Sequence, residues 1–390
     1  NKGIFTNLSH DHLDYHKTFK DYLNSKLHLF NSLLCNDATI ITDEDIPEYK
    51  KIFKISKQKK FRLETISNKR GIIKIIKHEY IGEKQYIKIK YKNSVYSIIV
   101  NLLGKLQIKN LFMAILAAES PKLKFKQIIS KINKIQPVKG RLEKVGKLKN
   151  NAICILDYAH SPDALEACLK NLREQFCKRK ISIVLGCGGN RDKSKRPIIG
   201  KIADKYCNKI YLTDDNPRFE NPNKIRSAIK KNISKDKLFE IPRRKKAIVT
   251  AIRHLNTNDI LIVSGKGHEK IQDYGKRKFF FSDKEIMLDS INKKNTLLSD
   301  NLKINILKEN SEAKEFPNLL KLNKASINSK DIKKNDIFFA IKGKNNDGNS
   351  FIFEAISNGA SIVVSDRTKI KINKKRVIKV KNTLDFLTKI

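Results

Sequence analysis

The stretch Gly186-Cys187-Gly188-Gly189-Asn190-Arg191-Asp192-Lys193-Ser194-Lys195-Arg196-Pro197 follows a short apolar run, Ile181–Leu185. A second stretch, Asp214-Asp215-Asn216-Pro217-Arg218-Phe219-Glu220-Asn221-Pro222, follows Ile210–Thr213. Each stands just before a helix-like segment. Apolar strand, polar loop, then helix is the unit of an open parallel sheet, in which ligands bind at the carboxyl ends of the strands. Glycines there let the backbone approach a ligand, and arginines suit bidentate capture of carboxylates. The pair points to a site for a small substrate bearing a carboxylate.

Outward from this pair, the pattern from Ile153 to Asp259–Ser264 alternates strand and helix, which argues for a doubly wound parallel sheet. Upstream, residues 70–103 alternate apolar and polar (Ile72, Ile73, Ile75, Ile76, then Tyr86, Ile87, Ile89, Tyr91, then Ile98, Ile99, Val100), the signature of β-hairpins. Residues 1–35 read as a strand end, a polar loop and a helix, and Asn110–Glu119 reads as a helix. Residues 290–315, rich in Asn, Lys and Ser, read as a linker. A further compact segment begins near Lys321, with a strand at Asp336–Ile341, a turn at Asn345–Gly348, a helix at Ser350–Asn358 and strands at Ser361–Ser365 and Val377–Val380.

A length of 390 residues allows two or three domains. The formal charge of +42 raises the prospect of a nucleic-acid binder. The lysines are spread along the whole chain, however, with no zinc-finger spacing and no interleaving of aromatic and basic residues, so no nucleic acid is expected as partner. A positive field still favours nucleotides and other anions. No run of 18 apolar residues occurs, so no membrane span is expected. None of Cys35, Cys154, Cys168, Cys177, Cys187 and Cys207 forms a Cys-x-x-Cys pair, which suggests free thiols in a reducing, cytoplasmic setting. The chain starts at Asn1 beside an apolar run, as a partial reading frame would.

Three further constellations carry chemistry. Asn7–His16, with Lys26 in the following helix, clusters His and Asp after a strand, as a divalent-cation site can. Taken alone it reads rather as a polar N-terminal cap, Asp11 and Asp14, with Lys26 on an ordinary surface helix. In Asp157-Tyr158-Ala159-His160-Ser161-Pro162-Asp163, Asp157 stands at a strand end where a carboxylate can accept ribose hydroxyls, while Ser161 or Asp163 with Pro162 caps a helix. In Gly265-Lys266-Gly267-His268-Glu269, a glycine loop enters a helix and can bind an anion, or Glu269 can face an ammonium; a plain tight turn is the simpler reading.

Together these segments resemble the ATP-dependent Mur ligases. Asn7–His16, Val138-Lys139-Gly140-Arg141-Leu142-Glu143, Asp157–Asp163, Gly186–Pro197, Asp215–Arg218 and Gly265–Glu269 stand in that family's order and at similar spacing, over about residues 1–290. The resemblance implies an α/β chain: a partial P-loop-type central domain at 1–136, a doubly wound Rossmann-like C-terminal domain at 137–295, a linker at 296–318, and a small α/β domain at 319–390. It implies ATP and Mg2+ as cofactors and Lys26 as a lysine carbamylated by CO2, a change that turns a cation into an oxygen ligand. It places His12 with Lys26 at the metal as the catalytic pair. It puts Asn110, Arg141, Asp157 and His160 at the nucleotide, with Asp157 on the ribose. Arg191, Asp215, Asn216, Pro217, Arg218, Gly265 and Glu269 build the amino-acid pocket.

The Asp-Asn-Pro-Arg form, 215–218, resembles the branch of the family that adds meso-diaminopimelate to UDP-N-acetylmuramoyl-L-alanyl-D-glutamate. Diaminopimelate carries a distal carboxylate that lysine's side chain lacks. Arg191 and Arg218 suit that carboxylate, and Glu269 suits an ammonium. The implied partners are those two substrates, and the implied state is a monomer. Leu106-Gln107 and Arg243-Arg244 depart from the family's usual residues, and no Gly-x-x-Gly-Lys-Thr/Ser loop occurs to cradle ATP phosphates. Without that loop the chain as given is expected not to turn over.

Ala325–Gly343, Asn346–Ile352, Ala355 and Gly359-Ala360 resemble the opening, UDP-binding domain of a second Mur ligase, with Asn328 and Lys330 in place of the usual Asp and Arg. A fusion with the D-alanyl-D-alanine-adding ligase is the expectation. Rival readings are a folylpolyglutamate synthetase-like ligase, a nucleic-acid-binding protein motivated by charge, and a non-catalytic scaffold.

Overall fold

Short apolar strands separated by amphipathic helices build the first sheet. Its strands are β1 (Lys2–Phe5), β2 (Thr39–Asp43), β3 (Arg62–Ser67), β4 (Ile73–Ile81), β5 (Lys84–Tyr91) and β6 (Ser94–Val100), in that spatial order. β1 to β4 run parallel, and β4 to β6 form an antiparallel meander. The alternation read at 70–103 is this meander: Ile73, Ile75, Ile87, Ile89, Tyr91, Ile98 and Val100 point into one core. Successive residues of a strand face opposite sides. Ile40 therefore packs with helices α1 (Phe19–His28) and α2 (Tyr49–Gln58), while Ile41 packs with α3 (Lys105–Ala118) and α4 (Phe125–Ile129).

The second sheet holds β7 (Glu143–Lys147), β8 (Ile153–Leu156), β9 (Ile181–Leu185), β10 (Lys209–Leu212), β11 (Leu238–Glu240) and β12 (Ile260–Val263). Its spatial order is β11-β10-β9-β12-β8-β7, parallel throughout except for β7 at the edge. The connecting helices are α5 (Pro162–Gln175), α6 (Lys195–Tyr206), α7 (Pro222–Lys230) and α8 (Arg244–Arg253). Every residue of β8, β9 and β12 is buried, as in a sheet covered on both faces. A small hairpin, β13 (Ile271–Asp273) with β14 (Lys278–Phe280), follows the last strand. The expected doubly wound parallel sheet is thus present.

The structure, a computed structural model, describes residues 1–8, 15–309, 322–343, 346–367 and 376–389, with backbone alone at 299–306, 308, 309 and 389. It divides into two units, residues 1–147 with 151–290, and residues 148–150 with 291–390.

Of the stretch read as a linker, residues 290–309 are helical, the later part of α9 (Asp283–Glu309), and residues 310–318 lie outside the described residues. No glycine or proline interrupts α9, and Met287, Ile291 and Leu307 bury their side chains. High polarity hid a helix whose few apolar anchors are spaced one turn or several turns apart.

In the second unit, β15 (Ala325–Ser326), β16 (Ile337–Phe339), β17 (Ile362–Ser365) and β18 (Val377–Lys379) form a four-stranded parallel sheet. Helices α10 (Ile352–Ser357) and α11 (Thr383–Lys389) accompany it. Phe339, Ile362, Val364, Ile378 and Phe386 share its core. Asn328 caps a short turn: its Oδ1 accepts the Lys330 N–H at 3.1 Å, and its Nδ2 donates to Asp331 at 3.0 Å. An aspartate at this place could accept the first bond but not donate the second.

Candidate active site

Because β9, β10, β12 and β8 lie near one another and run parallel, the loops leaving their carboxyl ends meet at one edge of the sheet. They enclose a cavity of about 700 Å3. Gly186, Gly188 and Arg191 from the first loop, Asp215, Asn216 and Arg218 from the second, and Gly265 and Glu269 from the third all line it. So do Tyr158, His160, Cys187, Asp192, Lys195 and Tyr15. Six residues expected in the amino-acid pocket are therefore brought together; Pro217 is buried behind them, its carbonyl facing Gly189.

Glycine permits this close stacking of loops. A Cβ on Gly186 would stand 2.4 Å from the Thr213 carbonyl oxygen, and one on Gly189 only 1.8 Å from that of Pro217. The Gly189 N–H donates to the Asn216 carbonyl at 2.9 Å. Arg196, nearly fully buried, then grips Glu220 with both Nη atoms, at 2.6 and 2.8 Å. The guanidinium holds the Glu220 carboxyl far below the usual range, at about 2. One arginine of the first stretch thus captures a carboxylate of the protein itself.

Arg218 has left-handed backbone, φ 54°. Its N–H donates to the Asp273 carbonyl at 3.0 Å, and its Nη1 to the Gly189 carbonyl at 2.7 Å, so the guanidinium is aimed by main chain on both sides. Glu269 accepts from the Tyr158 hydroxyl at 3.3 Å and from Asn216 Nδ2 at 3.1 Å. Lys266 is wholly buried and donates to Asn216 Oδ1 at 3.0 Å, to the Ile271 carbonyl, and to Glu269 at 3.3 Å. Asp215 is backed by the buried Arg244, whose Nη1 lies 3.9 Å from its Oδ2. Arg244 is itself locked to Asp283 at 2.9 and 2.7 Å. Cationic and anionic groups thus stand side by side, which is what a zwitterion carrying an extra carboxylate needs.

The remaining expected residues lie around this cavity or apart from it. Arg141 stacks on the Tyr158 ring, with 4.5 Å from Cζ to the ring centroid. His160 Nδ1 is 2.9 Å from the Tyr158 carbonyl. Asp157 does not line the cavity: it is buried, its oxygens accept the N–H groups of Leu142 at 2.7 Å and Ala159 at 2.8 Å, and desolvation pushes its carboxyl up. Asn110 lines a second cavity, of about 330 Å3, with Thr6, Asn7, Asp43 and Lys109. Lys109 there contacts Asp43 and Asp45. Lys26 Nζ donates to the Asn7 carbonyl at 3.0 Å and lies 4.9 Å from the Tyr22 ring centroid. His12 lies outside the described residues. Among the described residues no three His, Cys, Asp or Glu side chains gather as a metal site. Nor is any helix among them long and apolar enough to cross a membrane.

Sequence reasoning missed Tyr158, Lys266, Arg196 and Arg244. Each stood inside a stretch already singled out, but their partners, Glu269, Asn216, Glu220 and Asp283, become visible only when the loops are folded together.

Family models match three segments: the Mur ligase middle domain at residues 1–118, the Mur ligase glutamate ligase domain at 140–267, and the Mur ligase family catalytic domain at 322–390. The UDP-N-acetylmuramoyl-L-alanyl-D-glutamate--2,6-diaminopimelate ligase of Rickettsia typhi is 38% identical over 284 residues, which cover 73% of this chain and 57% of that protein. The protein of the same name from Chelativorans sp. is 38% identical over 283 residues, 73% and 58% of the two chains. The chain thus spans less than two thirds of these relatives' length. A solved structure of a UDP-N-acetylmuramoyl-L-alanyl-D-glutamate--2,6-diaminopimelate ligase superposes with a TM-score of 0.53 at 28% identity, covering 75% of this chain and 60% of that one. The Mycobacterium tuberculosis folylpolyglutamate synthase shares the fold at 17% identity and a TM-score of 0.56, covering 68% and 61%. The three matched segments account for most of the residues, and the chain belongs to the Mur ligase family.

Proposed function

We propose that residues 1–136 and 137–295 are the central and C-terminal domains of an ATP-dependent amide ligase of peptidoglycan synthesis. It adds meso-diaminopimelate to UDP-N-acetylmuramoyl-L-alanyl-D-glutamate. The observation that carries this reading is the joint lining of one cavity by Arg191, Arg218 and Glu269. The names of the relatives point the same way.

In the proposed reaction, ATP converts the terminal carboxylate of the muramoyl dipeptide to an acyl phosphate. The α-amine of diaminopimelate attacks the acyl carbon. A tetrahedral intermediate forms, the amine loses a proton, and inorganic phosphate leaves as the amide is made. The cavity's task is to hold the amine at a fixed distance from a charged electrophile, and positioning of this kind supplies much of an enzyme's acceleration. Arg218 and Arg191 would hold the distal carboxylate, Glu269 and Asp215 the distal ammonium, with Asn216 and Gly265 shaping the floor. Asn110, Arg141, His160 and Asp157 are proposed to contact the nucleotide. For Mg2+ the proposed holders are His12 and carbamylated Lys26. The described residues alone do not assemble a metal site, and no step here depends on one.

Residues 319–390 are proposed to open a second Mur ligase, one that adds D-alanyl-D-alanine, so that the gene encodes a fusion. Support comes from the match at 322–390 following two earlier Mur ligase segments.

Isothermal calorimetry of the chain with meso-diaminopimelate and with L-lysine tests the substrate reading. Diaminopimelate is expected to bind at least about tenfold tighter, the worth of one charge-assisted hydrogen bond. Equal affinity, or a preference for lysine, would remove the basis for the assignment.

A further inference from the structure

Lys266 is a fully buried ammonium between two residues that line the cavity, Gly265 and Glu269. We infer that Lys266 is a positioning residue of this site: its ammonium ties the Asn216 oxygen to Oε2 of Glu269, and thereby leaves Oε1 of Glu269 for a ligand.

The orientation of an amide side chain follows from its partners. Lys266 Nζ, 3.0 Å from Asn216 Oδ1, can only donate. The Asp273 N–H, 3.0 Å from the same atom, can only donate too. Two obligate donors on one side require the carbonyl oxygen there, so Nδ2 must point the other way. It points at Glu269 Oε2, 3.1 Å distant. Lys266 reaches that same Oε2 at 3.3 Å, while Oε1 receives, among the described residues, only the Tyr158 hydroxyl, also at 3.3 Å. Oε2 is thus engaged from within the protein, and Oε1 keeps lone pairs for an ammonium entering the cavity that Glu269 lines. The third Lys266 contact, to the Ile271 carbonyl, ties the loop to the hairpin whose Asp273 carbonyl accepts the Arg218 N–H. One ammonium therefore sets both the anionic and the cationic ends of the pocket.

Without that charge, the Asn216 oxygen keeps one obligate donor in place of two, and Glu269 Oε2 loses its ammonium partner. The amide and the carboxylate are then held together more weakly, and the carboxylate can swing away.

This inference rests on reading the cavity as an amino-acid site, and the test separates the two. In the full chain, Lys266→Met and Asn216→Ala are each expected to weaken meso-diaminopimelate binding about tenfold or more, while the double variant is no weaker than the worse single one. Lys266→Gln, which keeps a donor without the charge, covers the case in which the methionine variant fails to fold. In the ligand-free protein, the Asn216 side-chain NH2 resonances, assigned by their loss in Asn216→Ala, should be protected from exchange in wild type and lose that protection in the Lys266 variants. Unchanged affinity and unchanged protection would overturn the inference, as would losses that multiply in the double variant. If wild type binds no diaminopimelate at all, the substrate reading falls, and the amide protection still decides the role of Lys266.

Discussion

Arg196 and Glu220, 24 residues apart, form a two-pronged ion pair that clamps two cavity-lining loops of the sheet edge to each other. The Glu220 carboxylate also accepts the Asn190 N–H at 3.2 Å, so the clamp reaches the tip of the glycine loop. Removing one partner leaves a nearly buried guanidinium uncompensated. Glu220→Gln is expected to cost roughly 3 kcal/mol, read as a lowered denaturant midpoint.

The same pair sets a pH dependence. The folded-state pKa of Glu220 is depressed to about 2 from an ordinary 4.5, so its stabilising contribution is complete above about pH 4.5. It is lost as pH falls through 2. The stability gap between wild type and Glu220→Gln should therefore shrink between pH 5 and pH 2, as urea titrations at fixed pH would show. A gap that widens on acidification would contradict the assignment.

Arg218 combines a needed side chain with a backbone that ordinary residues avoid. Replacing it with alanine removes the guanidinium but keeps a strained left-handed Cβ, whereas glycine relieves the strain. Both variants should lose about 1.5 to 3 kcal/mol of diaminopimelate binding. By thermal melting, Arg218→Gly should nevertheless be the more stable of the two. Lysine binding should change little in either.

Glycines that look alike in the sequence should respond differently. Gly82, in the β4–β5 turn, has φ 59° and nothing within 4 Å of a built Cβ, so alanine there costs only the backbone term of about 1 kcal/mol. At Gly189 the same methyl group meets a carbonyl oxygen at 1.8 Å, which forces the two loops apart. Gly189→Ala should lose ligand binding and destabilise the fold by more than the Gly82 change, by calorimetry and denaturant titration.

Cysteine alkylation gives an independent check on burial. Cys35 and Cys177 are exposed and should react quickly with iodoacetamide, as read by mass spectrometry. Cys187 lines the cavity, yet burial pushes its thiol up to about 12. Since the thiolate is the nucleophile, Cys187 should react slowly at neutral pH and no faster than the buried Cys207.

The parts legible in the sequence were those governed by local pattern. Ile181–Leu185 and Ile260–Val263 announced buried parallel strands, and parallel strands bring their following loops to one edge, so Arg191, Arg218 and Glu269 could be expected to meet. The meander at 73–100 was legible because its side chains alternate. What stayed hidden depends on partners far away in the chain. Arg244 finds Asp283 39 residues on, and Lys266 finds Asn216 50 residues back. No spacing rule links such pairs. The place of Asp157 at a strand end was visible in the sequence, whereas the Leu142 and Ala159 N–H groups that bond to its oxygens were not. The polar surface of Asp283–Glu309 concealed a helix, because charge density suggests a linker while the lack of any glycine or proline permits regular hydrogen bonding.

A crystal structure of the chain grown with saturating meso-diaminopimelate tests the central claim most directly. The distal carboxylate is expected against the guanidinium groups of Arg218 and Arg191, with the neighbouring ammonium on Oε1 of Glu269. Diaminopimelate bound elsewhere, or an empty cavity at saturation, would contradict it.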